Sequence, residues 1–172
     1  MMEPLALFNL EGKTALITGA SGGIGRAAAL LLAQAGASLI VSGTRREALE
    51  ETVKALPAGC AASIITSDLR QPGAGAALLE EAEAAGGHVD ILVNNAGLTR
   101  DGLALRMKEE DWQTILNVNL TACFQLSQAC LKGMMKARWG RIINISSIVG
   151  LTGNPGQANY AAAKAGLAGF SK

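Results

Sequence analysis

The sequence predicts an α/β fold, with a parallel sheet between two layers of helices. Two observations carry this. Short apolar runs alternate with helix-length segments along the chain. The runs, such as "ALIT" from residue 15 and "LIVS" from residue 39, are apolar almost throughout. Strands that face water on one side alternate apolar and polar residues; strands buried on both sides do not.

The elements follow in order. Strands are expected at residues 14–18, 38–42, 63–66, 91–93 and 141–145, each a short apolar run. Helices are expected at 25–35, 46–56, 74–85, 108–137 (with a bend) and 157–172. Gly36 is placed to stop the first helix, because glycine accepts the left-handed conformation at a helix end. Right-handed crossovers then give a doubly wound sheet, the three-layer αβα architecture that binds nucleotides.

Composition narrows the function. A chain of 172 residues is the size of one domain, and no repeat or linker divides it. With 49% hydrophobic residues, 17% charged residues and 21 glycines, it describes a globular domain with a real core. A formal charge of +1 with scattered Lys and Arg gives no basic face for nucleic acid or an anionic membrane. Cys60, Cys123 and Cys130 fit no metal or redox spacing and are expected to be reduced thiols, which suits a cytoplasmic protein without a metal. Cys123 and Cys130 share a helix face as small core residues. The N-terminal "MMEPLALFNLEGK" lacks the basic start and long apolar run of a secretory leader, and no 18-residue apolar run spans a membrane. His88, the only histidine, is expected in a solvated turn, which leaves a serine hydrolase without a base.

"TGASGGIG", from residue 18, leaves the first strand and opens the first helix. Gly19 permits the turn, Gly23 lets backbone approach a pyrophosphate, and Gly25 lets helix pack on strand. The helix N-terminus supplies amide donors and a favourable dipole. This is the Rossmann-type position for a dinucleotide. After the second strand, "VSGTRREAL" offers no acid for a ribose 2'-hydroxyl; it offers Thr44 and Arg45, which suit a 2'-phosphate. NADPH is therefore expected over NADH. Asp68, after the third strand, fits two roles equally: an acceptor for the adenine amino group, or a turn residue.

The single tyrosine, Tyr160, lies four residues before Lys164 in "NYAAAKAGL". Intervening alanines favour helix, and i, i+4 residues share a face. With "NNAG" from residue 94, Asn119 in "NVN", and Ser147 thirteen residues before Tyr160, the chain resembles the short-chain dehydrogenase/reductase family over essentially its whole length.

The resemblance implies roles. Tyr160 is the proton donor to a ketone oxygen. Lys164 favours its phenolate and holds the nicotinamide ribose. Ser147, rather than its neighbour Ser146, steadies the developing oxyanion. Asn119 holds a relay water behind Lys164, at a bend of its helix. Ser21, Ile24, Leu69, Asn95, Ala96 and Gly97 join the glycines, Thr44, Arg45 and Asp68 along the cofactor. Family members often carry a basic residue where this chain has Gly22, so the 2'-phosphate falls to Thr44 and Arg45.

"SSIVGLTGNPGQANYAAAKAGLAGFSK" and "NNAGLTRDGLALRMKEEDW" resemble the 3-oxoacyl-acyl-carrier-protein reductases of that family. This implies a 3-oxoacyl thioester on acyl carrier protein as substrate, Gln157 near it, and Arg138 gripping the carrier. It also implies a homotetramer through the two long helices. Family members continue beyond the Tyr160 helix through two strands and a lid, so the chain is expected to be C-terminally truncated, with its fifth strand a sheet edge; the alternatives are another short-chain reductase, acting on acetoacetyl-CoA, a sugar or another ketone, or an inactive cofactor-binding fragment.

Overall fold

The structure is a computed structural model that describes residues 8–172; most of the stretch read as free of a leader lies outside the described residues. The elements run β1 (Thr14–Thr18), α1 (Gly23–Gln34), β2 (Ser38–Gly43), α2 (Arg46–Lys54), β3 (Ala62–Thr66), α3 (Ala74–Gly86) and β4 (Ile91–Asn94). Then come α4 (Glu109–Leu116), a π-helical turn (Asn117–Thr121), α5 (Ala122–Ala137), β5 (Arg141–Asn144), α6 (Val149–Thr152) and α7 (Ala158–Phe170).

The sheet is parallel throughout, in the order β3-β2-β1-β4-β5. The chain winds outward from β1 to β3 and then returns to β4 on the other side of β1. The strand order therefore reverses between β1 and β4, and ligands bind beyond the carboxyl ends of such strands.

The near-continuous apolar strands are explained by where their side chains go. Ile17, Leu39, Val41 and Val93 pack on one face with Ala29 and Ala33 of α1 and Leu49 of α2. Leu16, Ile40 and Leu92 pack on the other with Leu78 and Leu79 of α3 and Leu126 and Cys130 of α5. Successive residues serve opposite cores, so neither parity is free to be polar. Among the described residues β5 pairs only with β4 and is an edge; its Ile143 is 43% exposed.

Several boundaries differ from expectation. α1 starts at Gly23, two residues earlier, because the glycine turn itself enters the helix. β5 ends at Asn144, although the Ile145 N–H still bonds the Asn94 carbonyl at 3.0 Å. The helix expected over 108–137 is α4 and α5 joined by the π turn, which is the physical form of the expected bend. Four-residue α6 and a 3-10 turn at Ala104–Arg106 are too short to show a period in sequence. Gly36 does end α1, at φ 98°.

His88 corrects the sequence reading. It is half-buried rather than solvated, and its ring lies where a Cβ on Gly133 of α5 would be, 2.7 Å from that position. Its Nε2 is 3.9 Å from Asp90. Both precede β4, at the end of the sheet away from the switch point. The thiols of Cys123 and Cys130 are core residues, and burial pushes them up to about 11 and about 12.

Candidate active site

The site is built from loops at the C-terminal ends of β1, β4 and β5, with α7 behind them. The glycine turn comes first. Gly19 and Gly23 have φ of 65° and 52°, which only glycine adopts without strain. A Cβ on Gly19 would stand 2.8 Å from the Ala96 Cα, and one on Gly25 would overlap the Gly19 carbonyl. At Gly22 and Gly23 it would meet nothing within 4 Å, so the mouth of the turn is open. α1 begins there with no side-chain cap and no acid in its first turn. Its N-terminal amides are thus available to an anion.

The glycine turn and "NNAG" are one hydrogen-bonded unit. The Asn95 amide donates to the Thr18 and Gly19 carbonyls at 3.0 and 3.1 Å. The Thr18 hydroxyl accepts the Asn95 and Ala96 N–H groups at 3.1 and 3.0 Å. A cavity of about 430 Å³ runs alongside. Gly19, Ser21, Thr44, Asp68, Leu69, Asn95, Ala96 and Gly97 line it, together with Arg70 and Val118. Gly23 and Gly25 shape its edge rather than its wall. Arg45 is the extended residue before α2, exposed and outside this lining, and Arg46 is paired with Glu50 at 3.2 Å. An open cradle over a helix start, with a cavity beside it, suits the phosphates of a nucleotide.

Asp68 takes the turn role that was one of its two expected ones. It makes a turn by accepting the Arg70 N–H at 3.0 Å, and it also walls the cavity. The Arg70 side chain beside it holds its carboxyl below the usual carboxylate range.

A second cavity, about 350 Å³, shares Asn95, Gly97 and Leu98 with the first. Ile24, Ser147, Tyr160 and Lys164 line it. Tyr160 and Lys164 are one turn apart on α7, with the Lys164 Nζ 5.7 Å from the Tyr160 ring centroid. Lys164 is only 4% exposed, and its Nζ donates to the Ile145 carbonyl at 2.7 Å. Burial pushes its amine below the ordinary 10.5. The Ser147 Oγ accepts the Val149 N–H at 3.2 Å, which leaves its own proton free. The Ser146 hydroxyl donates instead to the Lys164 carbonyl at 3.1 Å, so the two serines have different tasks.

Asn119 is fully buried in the π turn. Its amide donates to the Leu98 and Ile115 carbonyls at 2.9 and 3.0 Å, and its Oδ1 accepts the Leu98 N–H at 3.3 Å. The side chain therefore ties the helix to the cavity loop. Gln157 is held at the rim by Asp101 and Asn154 at 3.1 and 2.9 Å. Arg138 is not brought to the site. It lies exposed before β5, at φ 53°, while Ser147 and Tyr160 gather beyond the other end of that strand.

Arg70 and Asn159 are contributors that motif spacing does not reveal. Buried Asn159 donates to the Arg100 carbonyl at 3.0 Å and accepts the Tyr160 N–H at 2.8 Å, fixing the start of α7. Asn159 is the second residue of α7 and not its cap, so no capping signal marks it in the sequence. Among the described residues, no group of His, Cys, Asp and Glu could hold a metal, and no helix is long and apolar enough to cross a membrane.

The profile of the short chain dehydrogenases matches residues 13–172. The chain belongs to that family. The 3-oxoacyl-acyl-carrier-protein reductase FabG of Vibrio cholerae is 52% identical over 164 residues, 95% of this chain and 66% of that protein. FabG of Escherichia coli is 51% identical over the same shares. Nodulation protein G of Rhizobium sp. strain N33 is 52% identical, over 96% of this chain and 67% of its own length. A crystal structure from Sinorhizobium meliloti 1021, assigned to the short-chain alcohol dehydrogenases, matches with TM-score 0.90 and 38% identity, covering 95% of this chain and 65% of that one. The chain thus spans about two thirds of the length of these relatives. This short-chain dehydrogenase/reductase has the expected Rossmann-type fold, and its family is one of oxidoreductases with a nicotinamide cofactor.

Proposed function

We propose that this chain is the single dinucleotide-binding domain of an NADPH-dependent reductase. Its substrate is the ketone of a 3-oxoacyl thioester on acyl carrier protein, and its product is the 3-hydroxyacyl thioester of fatty-acid synthesis. The observation that carries this is a pair of neighbouring cavities that share Asn95, Gly97 and Leu98, one lined by Gly19 and Ser21 of the glycine turn and the other by Ser147, Tyr160 and Lys164. Identity near 50% to FabG proteins supports the substrate class. NADPH rather than NADH is supported by Thr44 in the cavity wall and by the absence of an acid at that turn; Arg45, next in sequence, lies outside the lining.

When bound, the nicotinamide supplies hydride to the carbonyl carbon. The Tyr160 hydroxyl gives its proton to the carbonyl oxygen. The Ser147 hydroxyl, anchored from Val149, donates to the same oxygen and stabilises charge there. Lys164 uses one of its N–H groups on Ile145, which leaves two for ribose hydroxyls and for returning a proton toward Tyr160. Asn119 holds Leu98 in place between the two cavities. Arg138 is assigned to the carrier, away from the chemistry. A homotetramer in the cytoplasm completes the reading, with exposed Phe124, Leu131, Met135 and Phe170 on the long helices.

A second reading is a short-chain reductase for a ketone without a carrier, since the equal similarity to nodulation protein G leaves the FabG names without sole claim on this chain. NADPH oxidation with carrier-linked and CoA-linked 3-oxoacyl substrates tests both. The expected result is turnover that falls at least about 100-fold in Tyr160→Phe, with Arg138→Glu raising KM for the carrier form alone. Preference for the CoA form, unchanged by Arg138→Glu, would favour the second reading. Equal turnover in Tyr160→Phe would refute both.

A further inference from the structure

The chain after β4 has no helix or strand over residues 95–103, yet its Leu98 and Thr99 line the second cavity. No sheet ladder holds this loop, so its polar groups need other partners. At one end Asn119 takes both the Leu98 carbonyl and the Leu98 N–H. At the other end, three bonds cross between the loop and the segment that leads into α7. The Asn159 Nδ2 donates to the Arg100 carbonyl at 3.0 Å, and the Gln157 Nε2 to the Asp101 Oδ1 at 3.1 Å. The Gly102 N–H donates to the Gly156 carbonyl at 2.8 Å. Gln157 is half-buried, whereas Asn159 is 0% exposed, so its amide cannot turn to water instead. That amide works in two directions. Its Oδ1 accepts the Tyr160 N–H at 2.8 Å, one of the first N–H groups of α7, which have no partner inside the helix.

We propose that Asn159 is a positioning residue that fastens the cavity loop to the start of α7, so that Leu98 and Thr99 keep one geometry relative to Tyr160. Its bearing on turnover rests on the reductase reading above: a ketone held against the loop presents its oxygen to Tyr160 only while the two walls of the cavity keep their spacing. Two substitutions separate the two bonds. Asn159→Asp keeps the acceptor for the Tyr160 N–H and loses the donor to Arg100, and a carboxylate in the first turn of a helix suits its dipole. Asn159→Leu has similar bulk and loses both.

The test is native-state amide hydrogen exchange of the 172-residue chain by NMR, with the β1 amides as the measure of global opening. Beyond any change in β1, the Gly102 amide should exchange about tenfold faster in both variants, the scale of one hydrogen bond. The Tyr160 amide should do so in Asn159→Leu alone. A merely structural role would speed both amides alike in both variants, and that result overturns the inference, as does Gly102 exchange that neither variant changes. In NADPH oxidation with a carrier-linked 3-oxoacyl substrate, kcat should fall roughly 10- to 100-fold in both variants, with NADPH affinity within about twofold of wild type. Asn159 lines neither cavity, so cofactor binding is not its task. Wild-type kcat in both variants overturns the positioning role and leaves the reductase reading standing. No turnover by folded wild type, with the exchange effects present, overturns the reductase reading of this chain and leaves the fastening by Asn159 standing.

Discussion

Substituting Gly25 by alanine tests how the cofactor cradle is assembled. The added Cβ would overlap the Gly19 carbonyl oxygen and stand 2.5 Å from the Asn95 Nδ2. Neither obstacle is the loose end of a side chain. One is backbone, and the other is an amide already bonded to the Thr18 and Gly19 carbonyls at 3.0 and 3.1 Å. Overpacking of this kind costs about 1–3 kcal/mol. Losing the two Asn95 bonds adds about 1 kcal/mol each. Alanine's better helix propensity returns about 1 kcal/mol. The net loss is about 2–4 kcal/mol, or a Tm lower by roughly 5–15 °C for a domain of this size. Gly169, in α7, is the control: a Cβ there meets nothing within 4 Å, so Gly169→Ala should raise stability by about 0.5–1 kcal/mol. Thermal and urea unfolding followed by circular dichroism would measure both. A Gly25→Ala protein that melts within 2 °C (about 1 kcal/mol) of wild type would refute the claim that turn and helix are locked through Asn95.

The remaining predictions concern the buried polar groups of the second cavity. Lys164 has its amine below 10.5 in the folded chain, so the unfolded chain binds its proton more tightly. Its charged form therefore opposes folding at neutral pH, and this is relieved as pH rises through the folded value toward 10.5. Relative to Lys164→Met, wild-type stability should rise across that window, and parallel pH profiles would refute the sign; turnover of the methionine variant should fall by about 100-fold or more. Asn119→Ala removes three hydrogen bonds and leaves Leu98 and Ile115 groups without a side-chain partner. It should cost about 2–4 kcal/mol in urea unfolding, and wild-type stability would show that the π turn holds the loop without it.

The sheet was legible because its strands carry apolar residues at both parities, and a parallel sheet between two helical layers is the fold that uses them. Position of the glycine turn was legible for a similar reason: it falls where a strand hands over to a helix. That Tyr160 and Lys164 share a helix face was legible from spacing once α7 was assumed, whereas their proposed roles came from the family resemblance. Arg70 and the half-buried His88 were not. The Arg70 fork closes on a residue only two positions away, through side-chain torsions that no period records. His88 is buried by Gly133, 45 residues later in the chain, because a glycine on α5 leaves room for its ring. Arg138 shows the converse: a position matched by resemblance lies at the far end of β5 from the chemistry, because a strand separates it from Ser147.

The buried polar residues explain how loops can hold a catalytic arrangement. Thr18, Asn119, Asn159 and Lys164 are all at most 4% exposed. Each bonds the backbone of a segment distant in sequence: Thr18 to residues 93, 95 and 96, Asn119 to Leu98, Asn159 to Arg100, and Lys164 to Ile145. Apart from Val93, which is in β4, those segments lie beyond the ends of strands, where the sheet ladder does not fix them. A buried polar group is costly unless paired, so each such side chain stabilises one loop position against all others. Apolar residues would fill the same volume and leave the loops free to shift. Lys164 is the one of these four that the proposed mechanism also uses to move a proton; the other three hold the loops that carry the site. Substitutions there should therefore change stability and turnover together, whereas Ser147, whose hydroxyl is bonded only to its own turn through Val149, should separate the two.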